Sequence, residues 1–277
     1  MKTLTEFAEL ITRQECCTLT TVRRVAAMLD LDPEQIREGD SLPRGWHFFL
    51  LGADTRRSAL RSDGFPGLGV PMPDLGLPRL MLGSRTVTFH SDIPVGASLK
   101  RTSSVKSLRQ KQTASGAMAI VTIGHELTLC GQAAPVLTET QTYLLLPASS
   151  SPSFVPDKHP PAVAERLKTA LADDTLLFQY SALGFNSHKI HIDRAHAKDV
   201  EGFPDLVVNG GLVTLLLTEF IRTDLLQTPK AIRVRHLAPL FSNRPITLGA
   251  DRNGDAWHLK AFDDNNIHAV DMEVDIQ

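Results

Sequence analysis

Hydrophobic residues in this chain follow two different periods. From Gly211 to Leu226 they lie nearly all round a helical repeat, at Leu212, Val213, Leu215, Leu216, Leu217, Phe220, Ile221, Leu225 and Leu226. A helix with almost no polar face is stable only where other elements enclose it. Alternation takes over in SRTVTFH, SLKRTSSVKSLRQK, AMAIVTIGHELTL and VLTETQTYLLL, which run from Ser84 to Leu146, with period two clearest at Val87/Phe89 and Ile120/Thr122. Turn residues separate these runs, which predicts antiparallel strands. AIRVRHLAPLF, PITLGADRNG, AWHLKAFDD and IHAVDMEVDI repeat the cadence between Ala231 and Ile276. The pattern predicts one buried helix followed by four strands, preceded by a similar set of strands.

The segment LPASSSPSFVPDKHPP (Leu146 to Pro161) is too rich in Pro and Ser to belong to a packed element. It divides the chain into an N-terminal half (1–146), a linker (147–161) and a C-terminal half (162–277). HSDIPVGASL (His90 to Leu99) can be laid on LAPLFSNRPI (Leu237 to Ile246), each the end of an apolar strand, a turn and a new strand. Two such halves suggest duplication. The first half has no counterpart of the apolar helix; GFPGLGVPMPDLGLPRLML (Gly64 to Leu82) leaves room only for a short helix around Pro78 to Leu82. Helical spacing at Leu19, Val22, Val25, Ala26 and Leu29 predicts a further helix within Glu15 to Leu31, packed outside the sheet. With Asp32 to Ile36 it imitates a helix-turn-helix, but no basic stripe accompanies it.

Composition narrows the class. With 277 residues and 42% hydrophobic content the chain can bury a large core. A net charge of −2, with Lys and Arg evenly spread, gives no footprint for nucleic acid or an anionic membrane. No apolar run approaches a bilayer span and MKTLTEFAELITRQE lacks a signal core, so a cytoplasmic location is expected. Three cysteines, Cys16 and Cys17 among them, without CxxC spacing, read as free thiols.

The chemistry concentrates between Tyr180 and Glu219, YSALGFNSHKIHIDRAHAKDVEGFPDLVVNGGLVTLLLTE. Asn186 and His191 are separated by four residues, and Gly210-Gly211 open the apolar helix. The pair can hold a water, and the free N–H groups of a helix start can polarise a carbonyl, as adding water to an activated double bond requires. A pair of glycines can equally mark a tight turn with positive φ, and a lone His in a strand-like HKIHID run can be structural. His188, His191 and His196 with Asp193 could be read as metal ligands, but H-x2-H-x4-H is not a zinc spacing and no cysteine supports it. Gly67 to Gly69 lies in a Pro-rich loop, without the strand and helix of a dinucleotide fingerprint.

In this order the residues resemble the hydration motif of MaoC-like hot-dog hydratases, matched by Asn186, His191, Asp193 and the run Val207 to Leu212. The branch of hydroxyacyl-thioester dehydratase type 2 proteins and bacterial mesaconyl-CoA and itaconyl-CoA hydratases is closer. Its SALTFN-x-HRIHYDRPYA block reads here as SALGFNSHKIHIDRAHA (Ser181 to Ala197), and LPRLMLGSR (Leu77 to Arg85) also has counterparts there. The resemblance covers roughly residues 40 to 275.

It implies an α+β double hot dog, two antiparallel sheets each wrapping a helix, with the first helix short or degenerate and the first half a non-catalytic wall. It also implies a cofactor-independent hydro-lyase acting on a short acyl-CoA, most similar to the itaconyl-CoA and mesaconyl-CoA type. No nucleic-acid or membrane partner is expected, and the chain could act alone or as a homodimer. Asn186, His191, Gly210 and Gly211 become catalytic, with His191 the proton-transfer group. The wider motif has Asp at Asn186 and His at Asn209; an amide can orient water but cannot take its proton. Arg79 is the expected partner of an anionic acyl group, with Arg85, His90, His188, Asp193 and Asn209 as further substrate contacts. The rivals are a dehydratase of fatty-acid synthesis, a thioesterase and a non-catalytic acyl-CoA sensor.

Overall fold

The computed structural model describes residues 9–113, 116–148 and 159–277, and most of the proposed linker lies outside them. Among the described residues ten strands form a single sheet: β1 (Ile11–Cys16), β2 (Arg79–Phe89), β3 (Ser98–Thr113), β4 (Gly116–Leu129), β5 (Leu137–Leu146), β6 (Arg166–Leu171), β7 (Pro229–His236), β8 (Pro245–Asn253), β9 (Ala256–Phe262) and β10 (His268–Ile276). Their order across the sheet is β1-β3-β4-β5-β2-β7-β10-β9-β8-β6. Read outward from the β2–β7 junction, the two sides repeat one antiparallel arrangement. The junction is itself antiparallel, with Ser84 opposite Arg235 and Thr88 opposite Ala231. The turns that follow β2 and β7, His90 to Ala97 and Leu237 to Arg244, occupy equivalent places in the repeat.

Among the described residues three α-helices accompany the sheet: α1 (Leu19–Met28), α2 (Asp174–Leu183) and α3 (Gly210–Thr223). Helices α1 and α2 each follow the edge strand of their half and touch one another. Each begins on a side-chain cap, Thr18 accepting from Thr21 N and Asp173 from Leu176 N. In α3 the apolar circumference is buried as its pattern requires, with Leu212, Leu215, Leu217, Phe220 and Ile221 at most 2% exposed. Around it pack the inward residues of both sets of strands, among them Val87, Leu99, Leu127, Ile232, Val234, Leu259 and Met272. This is the double hot-dog arrangement, α+β in class.

Four expectations change. Pro78 to Leu82 is not a helix: β2 begins at Arg79, where Arg79 and Leu80 pair with Leu146 and Leu145, because a ladder on β5 satisfies backbone groups that one isolated turn would leave open. The place opposite α3 is filled by a 3₁₀ segment, Trp46–Leu51. It lies so close that a Cβ on Gly45, at φ +103°, would sit 2.3 Å from Thr218 Oγ1. Glu15 and Cys16 belong to β1 rather than to the N-terminal helix, and α1 buries Val22, Val25 and Ala26 completely. HKIHID is a 3₁₀ turn, Lys189–His191, and not a strand. The Gly- and Pro-rich loop before β2 lays Leu68, Val70, Met72, Leu75 and Leu77 over Val105, Val121 and Ile123 of the first-half sheet.

Candidate active site

The segment after α2 is folded back on itself by its own polar groups. Asn186 N donates to Ser181 O at 2.8 Å, and Asn186 Oδ1 accepts from His188 N at 3.1 Å. That second bond fixes the amide, since only its oxygen can face an N–H, so the NH₂ end is the one left to the cavity. His191 lies at the end of the following turn. Its Nδ1 is 2.7 Å from Val207 O; a carbonyl only accepts, so Nδ1 carries the proton and Nε2 keeps its lone pair. Val207 N returns a bond to Ile190 O at 2.9 Å, which locks the His191 strand of chain to the residues leading into α3. Burial pulls the His191 pKa down to about 4, against the opposing effect of the Val207 bond, so the ring is neutral near pH 7.

Asn209, Gly210 and Gly211 stand at the start of α3, whose first N–H groups have no partner inside the helix. Neither glycine has positive φ; what they supply is space. A Cβ on Gly211 would meet the Tyr180 hydroxyl at 2.2 Å, and one on Gly210 would meet His236 Cε1 at 3.1 Å and Leu82 Cδ2 at 3.2 Å. The family-type His at 209 is here an Asn whose Nδ2 lies 3.4 Å from Ser181 Oγ and whose Oδ1 is buried without a protein partner.

All of these groups line one cavity of about 540 Å³, whose walls come from both halves of the sheet. Leu80, Leu82, Leu146, Val213 and Leu240 make it largely apolar. The first half contributes Asp63, 3.6 Å from His188 Nε2. It also contributes Arg79, whose Nε lies 3.0 Å from Glu201 Oε2 while Nη2 donates to Glu201 O at 2.6 Å. Arg85, deeper along β2, is ion-paired with Glu139, Nε to Oε1 at 2.8 Å. Burial pushes the Glu139 carboxyl up, but Arg85 and hydrogen bonds from His47 and Gln141 outweigh it and hold the group at about 2. His188 packs edge-on to Phe65 and to His191; burial, then the neighbouring His191, depress its pKa strongly.

Asn186, His188, His191, Asn209, Gly210, Gly211, Arg79 and Arg85 are thus brought together. Two expected contacts are not. His90 lies beyond the end of β2, with Nε2 3.0 Å from Thr138 Oγ1, because strand alternation carries it away from the cavity. Asp193 accepts from His196 N at 3.0 Å and so shapes the next turn, while Arg194 pairs with Asp174 and Asp205. Cavity residues that sequence reasoning missed are Asp63, Tyr143, Tyr180, Glu201 and His236. Tyr180 stands immediately before the block that carries the resemblance and His236 ends a strand that the alternation predicts, but neither carries a motif of its own. Among the described residues no three His, Cys, Asp or Glu side chains converge as a metal site, and no helix is long and apolar enough to cross a membrane.

Comparison with known proteins gives the same frame. The chain is 33% identical over 258 residues to the mesaconyl-C(4)-CoA hydratase of Chloroflexus aurantiacus, covering 91% of this chain and 90% of that protein. Its fold superposes on a MaoC-like dehydratase from Phytophthora capsici with a TM-score of 0.71 at 14% identity, over 98% of this chain and 96% of that one. A Mycobacterium tuberculosis protein described as a double hotdog fold superposes with a TM-score of 0.56 at 13% identity, over 98% and 96% of the two chains. The profile of the hydroxyacyl-thioester dehydratase type 2 family matches residues 45–242. With a neutral, pinned histidine facing the start of a buried helix, the chain is a MaoC-like hydro-lyase and belongs to the hydroxyacyl-thioester dehydratase type 2 family.

Proposed function

We propose that the chain catalyses the reversible hydration of an enoyl-CoA thioester carrying a short, branched dicarboxylic acyl group, of the mesaconyl-C4-CoA or itaconyl-CoA type, to a citramalyl-CoA. The observation that carries the hydration chemistry is the pairing of His191, protonated at Nδ1 and open at Nε2, with the start of α3 across one cavity. In the hydration direction water donates to His191 Nε2 and accepts from the Asn186 NH₂, leaving a lone pair aimed at the β-carbon. His191 takes the proton as the C–O bond forms. The negative charge that moves to the thioester oxygen is met by the N–H groups of Gly210 and Gly211 and by the positive end of the α3 dipole. The imidazolium then delivers that proton to the α-carbon of the enolate, which completes the hydrated thioester and leaves His191 neutral. In reverse, neutral His191 removes the α-proton and the imidazolium so formed protonates the departing hydroxyl. None of these steps calls on a cofactor beyond the substrate's own CoA.

The similarity to a mesaconyl-C(4)-CoA hydratase over most of both chains supports the choice of acyl group. The test is a turnover panel of mesaconyl-C4-CoA, itaconyl-CoA, crotonyl-CoA and octenoyl-CoA, followed at the enoyl absorbance. The dicarboxylic thioesters are expected to have the higher kcat/KM. A lead for octenoyl-CoA would instead make the chain a dehydratase of fatty-acid synthesis, and binding without turnover of any member would make it a sensor.

A further inference from the structure

The cavity holds a second polar cluster that the hydration steps leave unused. Arg85 Nη2 lies 3.7 Å from the point where a Cβ on Gly211 would sit, and the Tyr180 hydroxyl lies 2.2 Å from the same point. A guanidinium, a phenol and the start of α3 therefore converge. Arg85 is mostly enclosed, its side chain 10% exposed. Its Nε contact with Glu139 is ionic, the N–H being turned off the line of a hydrogen bond. Among the described residues neither Nη has a protein acceptor, and neither belongs to the sealed, unpartnered atoms, so both open on the cavity they line. Tyr180 is held in place by stacking on Phe48 at 4.4 Å.

Such a cation in an apolar-walled cavity calls for an anionic or strongly accepting ligand, because its donors are otherwise served only by trapped solvent. Glu139 does not satisfy it. That carboxylate is shared with His47 at 2.7 Å and Gln141 at 2.5 Å and stands behind Arg85, where it fixes the fork without closing its outer edge. Arg79, six residues earlier on β2, is differently placed: Glu201 holds it twice and its guanidinium lies 5.5 Å from the Phe203 ring centre. The contrast separates an arginine engaged along the wall from one that presents its fork.

We propose that Arg85, braced by Glu139 and flanked by Tyr180, forms a carboxylate-binding subsite that takes the free carboxylate of a dicarboxylic acyl thioester while the helix start holds its thioester oxygen. This rests on the proposed function and names the residues that would select its substrate class. A planar guanidinium pairs with carboxylate through two parallel bonds. A four-carbon diacid places its two carboxyl carbons only two atoms apart, short enough for one helix mouth to engage both ends.

Equilibrium binding tests the subsite without turnover. Succinyl-CoA carries the carboxylate and no double bond; butyryl-CoA is its apolar counterpart. Titration calorimetry should show wild type binding succinyl-CoA at least tenfold more tightly, and Arg85→Gln losing that preference. Arg85→Gln leaves Glu139 buried beside a neutral group, so Arg85→Gln/Glu139→Gln, which removes both charges, is measured alongside with a melting curve for each. Tyr180→Phe should reduce the preference by a smaller factor. The subsite is overturned if wild type shows no preference, if the preference survives in either Gln variant, or if both ligands weaken equally, which would assign Arg85 to the thioester oxygen or to the fold. A preserved, Arg85-dependent preference in a protein that turns over none of the enoyl-CoA panel would keep the subsite and remove the reaction.

Discussion

The two halves of the sheet share one strand plan and differ in what crosses it. In the second half α3 runs through the middle and the chain returns to β7 after a short turn, Asp224 to Thr228. In the first, the equivalent place holds only the 3₁₀ segment Trp46–Leu51, and a long loop follows before β2. The loop is not idle: it brings Asp63 to His188 and wedges Gly64 against Ser187, whose Oγ donates to Gly64 O at 2.7 Å. Ser62 O and Asp63 O also accept from Lys189, at 2.8 Å each. The lesson is that the half without the long helix has become a clamp on the segment that carries Asn186 and His191.

The largest test of this asymmetry is His191→Ala. It is expected to lower kcat by about two to four decades, since it removes the proposed proton-transfer group of the second half, while the fold is retained with a melting temperature lowered only by loss of the bond to Val207 O. Steady-state turnover on whichever enoyl-CoA proves best decides it, and near-wild-type kcat would remove His191 from the mechanism.

Next in size is Gly211→Ala. Its methyl must displace the Tyr180 hydroxyl, and a shift of about 1 Å at the helix start is expected to lower kcat about 10²-fold. Adding Tyr180→Phe removes the colliding oxygen, so the double variant should recover part of the loss. Failure to recover would mean that α3, not Tyr180, had moved.

The pH dependence follows from burial. His191 stays neutral down to about 4, so the acid limb of kcat/KM in the hydration direction is expected near 4 and not near 6.5. Stability moves in the opposite sense to an ion-paired histidine. His125 and His191 titrate at about 4 and His236 at about 3 in the fold, all lowered by burial, while the unfolded chain takes up these protons near 6.5. The unfolded state therefore binds more protons in this window, and stability should fall as pH drops from about 6.5 towards 4. Melting temperatures across that range measure it.

Smallest is Trp46→Phe, aimed at the 3₁₀ segment. Trp46 Nε1 donates to Glu219 Oε1 of α3 at 2.7 Å, both residues being buried. Loss of that bond should cost about 1–3 kcal/mol, read as a lower urea midpoint, while kcat changes little because Arg222 still holds Glu219. A large fall in kcat would show that the segment positions α3 for catalysis.

Strands β2 to β5 and β7 to β10 were legible because one face of each is buried, which imposes alternation on the residues. The edge strands were not. RLKTAL of β6 is exposed at nearly every position, so no apolar period marks it, and ITRQEC of β1 runs without a break into the helical spacing of α1. WHFFLL is apolar without a repeat, and its 3₁₀ form depends on Gly45 fitting against Thr218. At the site, Asn186, His191 and the glycines could be read because they lie on one short stretch in a fixed order. Asp63, Glu139 and the engagement of Arg79 by Glu201 arise from chain crossings that no local pattern encodes.

The seam between β2 and β7 has a consequence in mass action. Five pairs of residues, from Ser84 with Arg235 to Thr88 with Ala231, join the two halves within one covalent chain. The wall that carries Arg85 and the segment that carries His191 are therefore always present at one to one. Their mutual effective concentration is set by the chain that connects them, on a millimolar scale for a short tether, and not by how much protein is present. Dilution, which would disassemble a cavity shared between separate molecules, leaves this one whole.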